Sequence, residues 1–243
     1  INKQRQTLTR RIQEAAETLA VEEKNEDFLF AASEEFNMGI VGLAASRLVD
    51  THYRPAIVGS IGDEYTRASC RSIPELHITW ALDQVSDLLV QHGGHAMAAG
   101  FTVRNDQKDE LFSRLNTIIH AELSNKELRP VVSADMEIAL SDLHPAILED
   151  IAKLEPCGQD NPPVYFVSRN LQVRNYRVIG RDQRHLKMTI TDGKITYDAV
   201  AFGKAQWANA MPTEVDLLYA FERNSYNGRT SLQLQIQDIK ASH

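Results

Sequence analysis

Cysteine is nearly absent from this chain: only Cys70 and Cys157 occur in 243 residues, and no Cys-x-x-Cys pair is present. That excludes a disulfide scaffold, and with no secretory signal at the start the expected compartment is a reducing cytoplasm. Long apolar runs are missing as well. Stretches such as IVGLAAS from Ile40 fall far short of the about 18–20 residues that a membrane span needs, so no bilayer crossing is expected. Positive charge is not in excess either. Lys and Arg number 26 against 33 Asp and Glu, a net charge of −7, and neither 1–130 nor 131–243 is basic, which excludes a uniformly basic nucleic-acid coat. An initiator methionine is also lacking. The chain opens on Ile1 and runs at once into polar helical text, so it is expected to begin partway through a longer protein. What remains is 43% hydrophobic and 24% charged, the balance of an ordinary globular chain, and at roughly 100–200 residues per domain its length suggests two domains.

The first half alternates strands with helices. Leu8, Ile12, Ala16 and Leu19 recur at helical spacing and predict an amphipathic helix over 2–23. DFLFAA (27–32) reads as a buried strand, IVGLAASRLV as a helix whose small residues allow close approach to a sheet, and RPAIVGS (54–60) and YTRASCRS as strands. ITWALDQVSDLLVQH (78–92) reads as a helix and AGFTV as a strand. Asn105 or Asp106 is placed to cap a last helix bearing Leu111, Phe112, Leu115, Ile118, Ile119 and Leu123. The expectation is a layered α/β domain ending at the charged SNKELRP near 124–130.

The second half has another rhythm. A helix, DLHPAILEDIAKL, and a turn-rich EPCGQDNPP precede five alternating strands near 164–179, 185–191, 195–202, 215–223 and 231–239. DGK (192–194) makes a tight turn between the second and third, and GKAQWANAM a short helix between the third and fourth. That is the layout of an OB-like five-stranded barrel. Such barrels bind oligonucleotides on strands two and three and on the loops joining strands one–two and four–five, here GRDQR (180–184) and NSYNGR (224–229). Between 169 and 187, Arg169, Arg174, Arg177, Arg181, Arg184 and Lys187 face the single Asp182. Arg181, Arg184, Lys187 and Arg229 supply charge for phosphates and Tyr226 a ring for stacking. A solubilising face or a protein-docking barrel is the alternative reading of the same pattern.

Three segments can carry chemistry. In HGGHAMAAGFTV, from His92, Gly93 and Gly94 permit close approach of a ligand to backbone, and His95 follows them on an expected loop. A helix-to-strand turn with an incidental histidine is the plainer alternative. His92-x-x-His95 does not read as a metal pair, because the glycines break the helix that would align the imidazoles and no cysteine or carboxylate cluster completes a site. In SCRSI, Ser69, Arg71 and Ser72 lie at a strand end, where Arg71 can hold a phosphate bidentately beside a serine hydroxyl, or else form a surface ion pair. In NMGIVGLAASR, Gly39 and Gly42 open a helix whose N-terminal amides attract anions, or serve as a packing device.

The order of these segments, MGIVGLAASRLVD, RPAIV, CRSI, GGHAMAAG, PCGQDNPPVYF and GRDQRHLKMTI, resembles the C-terminal part of the RecJ exonucleases of the DHH phosphoesterase superfamily, over essentially the whole chain. GGH-x-x-AAG is the mark of the DHH-associated domain, and the proline-glycine-asparagine loop with the HLK strand narrows the match. The resemblance implies a connector helix (1–24) from a preceding DHH domain, a DHH-associated α/β domain (25–130) and an OB-like domain (131–243). It implies single-strand-specific 5′→3′ DNA hydrolysis in DNA repair and recombination, driven by manganese or magnesium held in that DHH domain; no Asp-His-His triplet occurs here, so no cofactor is expected in this segment, which alone should lack hydrolytic activity. It further implies that His95, with Gly93 and Gly94, faces the scissile or terminal phosphate and that Arg71 with Ser69 or Ser72 holds the 5′ end. Arg181, Arg184 and Lys187 would track the strand, with His185 at the loop's edge. Single-stranded DNA is the implied partner and single-stranded-DNA-binding protein a further one. The chain departs from the family in having Phe36, Asn37 and Met38 where relatives commonly carry a Trp-His-like pair. Two alternatives are a small-substrate oligoribonuclease or nucleotide phosphatase of the same superfamily, which has no need of the barrel, and a non-catalytic docking scaffold.

Overall fold

A computed structural model describes residues 2–22, 27–158, 161–226 and 228–242. The chain divides after Pro130 into two compact units. Among the described residues no helix is long and apolar enough to cross a membrane.

The first unit runs α1 (Asn2–Glu22), β1 (Leu29–Ser33), α2 (Met38–His52), β2 (Ala56–Ile61), β3 (Tyr65–Arg71), α3 (Ile78–Asp83), β4 (Leu89–His95), β5 (Ala98–Arg104) and α4 (Lys108–Leu123). One sheet in the order β1-β2-β3-β5-β4 organises it, with β1 and β2 parallel and the remaining pairs antiparallel. Period-2 alternation sends Phe30, Ile57, Cys70, Phe101 and Val103 to one face, where Leu82 of α3 and Leu111, Leu115 and Ile119 of α4 cover them. On the opposite face Leu29, Ala31, Ala56 and Val58 pack against Ile12 and Ala16 of α1 and against Val41, Ala44 and Ala45 of α2. The alanines let α2 lie close to the sheet. Helix α1, read as a connector, is therefore packed into this unit's core. On that second face the helices sit over β1 and β2, with α2 reaching β3 at Gly42, and the β3-β5-β4 side carries the part-exposed Ser69, Gly100 and Thr102 and the exposed Arg67 and Gly93.

Two local expectations need correction. The helix expected over 78–92 stops at Asp83; residues 86–88 form a 3-10 turn and 89–95 a strand. The apolar spacing misleads because Val85 and Leu88, in the turn, stay buried in the same core as Ile78, Ala81 and Leu82, while pairing with β5 claims the residues that follow. Asn105 does not cap α4 with its side chain. Its amide donates to the Gly62 carbonyl at 2.8 Å and its oxygen accepts the Thr66 hydroxyl, tethering the β2–β3 hairpin instead.

The second unit comprises β6 (Met136–Glu137), α5 (Pro145–Ala152), β7 (Phe166–Ile179), β8 (His185–Thr191), β9 (Thr196–Ala201), β10 (Glu214–Tyr226) and β11 (Arg229–Ala241), with a 3-10 turn at 205–209 between β9 and β10. The order β10-β11-β9-β8-β7 closes through β7–β10 pairing, and β9 and β11 run parallel, so the five expected strands form a closed OB-like barrel. Strand β7 serves two neighbours, pairing β10 through Phe166–Gln172 and β8 through Gln172–Ile179. It can do so because Asn170 adopts a left-handed φ of 54° and a register shift lies between Val173 and Asn175. Inside, Leu171, Leu186, Met188, Ile190, Tyr219, Phe221 and Leu234 make the core, and α5 lays Ile147, Leu148 and Ile151 against it. Buried Tyr219 shares a 2.7 Å hydrogen bond with Ser168. Asp192, in the expected DGK turn, accepts the amides of Lys194 and Ile195 with one oxygen and that of Ser141 with the other, pinning the 140–142 turn to the barrel. NSYNGR is not an open loop: β10 and β11 extend through it until Tyr226 pairs with Arg229.

Candidate nucleic-acid interface

In the first unit, three segments distant in sequence meet on one sheet face. The register aligns Ser69 with Gly100 and Gly93, and Arg71 with Ala98 and His95, so both rows point the same way. A groove of about 740 Å³ lies over this face, with Met38, Arg67, Ser69, Gly93, Gly100 and Thr102 in its lining. Arg71 and His95 form the next row along, their backbones about 10 Å apart across two interstrand spacings.

Helix α2 supplies the adjoining wall. Asn37 caps it, accepting the Gly39 amide at 2.8 Å, while Phe36 is buried, so these two residues serve as a cap and a core side chain. A Cβ on Gly42 would stand 3.1 Å from Arg71 Nη2 and 3.7 Å from Ser69 Oγ. The glycine thus lets the guanidinium and hydroxyl lie against bare helix. Arg71 donates through Nη1 to the Cys70 carbonyl at 2.8 Å, and among the described residues no carboxylate pairs with it. Beneath it the Cys70 thiol is fully buried and pushed up to about 12 by that burial, so it stays neutral and is no nucleophile.

The two glycines do different work. Gly94 has φ 150°, and a Cβ there would fall 2.4 Å from the Ala98 carbonyl oxygen, so only glycine fits. Gly93 has nothing within 4 Å of its Cβ position and leaves the groove floor bare. Both lie in β4, not on the expected loop. His95 ends that strand exposed, and the hairpin tip beyond it is moored: Thr79 donates its hydroxyl to the His95 carbonyl at 2.8 Å, and Ile78 its amide to the Ala96 carbonyl at 3.0 Å. His92, three residues earlier on a strand, faces the opposite side and meets Asp83 at 2.8 Å. Ser72 is a correction. Its side chain is buried and donates to the Leu76 carbonyl, so Ser69 is the serine beside Arg71 in the groove. Sequence reasoning missed Arg67, exposed on the groove floor; its signal was the alternation Tyr65, Arg67, Ser69, Arg71 along one strand.

In the second unit the basic stripe divides. Arg169 is tied to Glu137 and Asp216, and Lys187 to Asp198 at 2.8 Å, so neither is a free cation. Arg174, Arg177, Arg181 and Arg184 are exposed and form no ion pair among the described residues. His185 begins β8 directly after the 180–184 loop, with its ring against Gly180. Its Nδ1 accepts the Gly203 amide at 3.0 Å and its ring meets Phe202 edge-on at 5.2 Å, making it a strut between β8 and the turn after β9. Tyr226 and Arg229 pair in backbone at the hairpin end; their side chains lie outside the described residues. Among the described residues no three His, Cys, Asp or Glu side chains converge as metal ligands.

Comparison with known proteins agrees with this division. The DHHA1 domain matches residues 25–121 and the RecJ OB domain residues 134–238. The single-stranded-DNA-specific exonuclease RecJ of Bacillus subtilis is 31% identical over 247 aligned positions, covering 100% of this chain and 31% of that protein. The Dickeya dadantii protein of the same name is 32% identical over 214 positions, covering 84% of this chain and 37% of its own length. The crystal structure of RecJ with Mn2+ from Thermus thermophilus superposes with a TM-score of 0.82 at 23% identity, over 100% of this chain and 35% of that one, and shows the same fold. The chain spans about a third of the length of the relatives it matches. Carrying these two domains in succession, the chain belongs to the RecJ family and corresponds to its C-terminal DHHA1–OB region.

Proposed function

We propose that this chain is the substrate-holding C-terminal region of a single-strand-specific 5′→3′ DNA exonuclease acting in DNA repair and recombination. The observation that carries this reading is the convergence of the α2 N-terminus, Ser69 and Arg71, and Gly93 to His95 on one open sheet face beside a groove. Arg71 keeps a planar donor face for a phosphate, oriented by the bond from Nη1 to its neighbour's carbonyl, and Ser69 adds a hydroxyl. His95, on the same row, faces the phosphate next along. Arg67 extends the cationic line down the floor. In the barrel, Arg174, Arg177, Arg181 and Arg184 offer phosphate contacts of their own.

In this proposal the bond is broken with the help of divalent ions, manganese or magnesium, held in a DHH domain outside this segment; the ligand types they need do not cluster among the described residues. The chain's own residues bind and orient the strand. Fluorescence anisotropy with a labelled single strand tests the grip: binding should weaken steeply with salt, because released counterions dominate it. Salt-insensitive or undetectable binding refutes it. In the full-length enzyme Arg71→Ala should erase most of the preference for a 5′-phosphorylated end, and an unchanged preference removes that role from Arg71. Titrating single-stranded-DNA-binding protein into a fluorescently labelled form of this chain, without DNA, tests it as a second partner: saturable binding supports that role and its absence refutes it.

A further inference from the structure

We infer that Phe202 is a nucleobase-stacking residue on the barrel's outer face, a site that rests on the single-strand reading above and gives it a second, uncharged component. Phe202 directly follows β9 and is 54% exposed, unusual for so apolar a ring. Its surroundings hold it in place. Leu186 pairs with Ala201, which sets His185 opposite Phe202, and His185 in turn pairs with Ile179. The His185 ring meets Phe202 at 76°, edge to face, and its Nδ1 accepts the amide of Gly203, the residue after Phe202. Gly180 adjoins the other side of the imidazole, where a Cβ would come within 2.9 Å of His185 Cδ2. The Ala205 amide bonds the Arg184 carbonyl at 3.1 Å, so the turn carrying Phe202 is stitched to the loop carrying Arg181 and Arg184.

The ring is thus held on one side by a fixed imidazole and carried on a turn bonded to the loop of the unpaired Arg181 and Arg184. Two residues along the strands, on the same face, lies the row of Arg177, Lys187 and Val200, about 7 Å away at 3.3 Å per residue. An aromatic ring next to a cationic track is the combination that binds unpaired nucleic acid: arginines take phosphates and the ring takes a base of any identity, since every base has a π-face. Tyr226, the ring expected from sequence, is at the far hairpin of β10 and β11; Phe202 lies instead where strands two and three meet the first barrel loop.

The test compares the 243-residue chain with Phe202→Ala and Phe202→Trp on a labelled oligothymidine and on a matched strand with abasic sites throughout, with thermal unfolding as a check of fold. Phe202→Ala should weaken oligothymidine binding about 5- to 150-fold, the range that about 1–3 kcal/mol per stacked base represents at about 1.4 kcal/mol per tenfold. The salt dependence should keep its slope, Phe202→Trp should retain affinity, and wild type and Phe202→Ala should bind the abasic strand equally. Wild-type affinity in Phe202→Ala, with the salt-dependent binding intact, overturns the stacking role and leaves the single-strand reading standing. An equal loss on the abasic strand, or a changed salt slope, shows damage to the arginine loop and overturns it too. No binding by the wild type removes the reading on which the inference rests.

Discussion

Gly93 and Gly94 are chemically identical neighbours, and the structure predicts opposite outcomes for adding one methyl group to each. At Gly94, alanine must adopt φ 150°, a region that costs about 1–3 kcal/mol for a residue with a Cβ. The methyl also falls 2.4 Å from the Ala98 carbonyl oxygen and 2.5 Å from Ala99 Cα, both backbone atoms of the neighbouring strand. Relieving that overlap shifts β5 against β4 and adds about 1–3 kcal/mol of overpacking strain. Gly94→Ala should therefore cost about 2–6 kcal/mol, a large share of the about 5–15 kcal/mol that holds a domain folded. At about 2–4 °C per kcal/mol, the transition should fall by about 4–24 °C, near 12 °C at the middle of both ranges. Gly93→Ala meets nothing within 4 Å, so its Tm should stay within about 2 °C of wild type while its methyl intrudes on the groove floor and weakens strand binding. Differential scanning calorimetry on the two variants settles the matter. Equal shifts, or a Gly94→Ala protein as stable as wild type, would show that the β4–β5 backbone approach is not the constraint described.

Other consequences follow from the same geometry. Gly42→Ala should leave Tm unchanged or raised, since alanine favours a helix by about 1 kcal/mol over glycine, yet weaken binding because its methyl sits 3.1 Å from Arg71 Nη2; unaltered affinity in a titration would separate Gly42 from the site. Arg181→Ala and Arg184→Ala should each flatten the plot of log affinity against log salt by about 0.7, whereas Arg169→Ala, already neutralised by Glu137 and Asp216, should not; a slope change for Arg169 contradicts the division of the stripe. Partial burial pushes the Asp192 carboxyl up, but the amides of Ile195, Lys194 and Ser141 outweigh it and hold it below the usual carboxylate range. A depressed folded value means stabilisation present above an unfolded pKa of about 3.9 and lost as pH falls through the folded one. Asp192→Ala should lower Tm at neutral pH, and the gap to wild type should close in acid; a gap that persists there assigns the loss to packing instead.

Much of the architecture was legible in the residues themselves. Alternation in LFAAS, AIVGSI and YTRASCR, helical spacing in α1, α2 and α4, and five short strands split by DGK and GKAQWANAM determine an α/β unit followed by a barrel, because each element's buried face is set by its own period. The glycines, Ser69, Arg71 and His95 were legible as unusual residues. Periodicity could not show that 89–95 is a strand, since the pairing that makes it one is supplied by β5, nor that Ser72 commits its hydroxyl to the Leu76 carbonyl and His185 its Nδ1 to the Gly203 amide. Formal charge likewise could not separate Arg169 and Lys187 from the unpaired arginines, because the neutralising carboxylates come from other strands. Local composition decided which segments fold as what. Only the tertiary structure decided which side chains have partners and which are left for a ligand, because hydrogen bonds and ion pairs between distant segments exist only once the strands are in register.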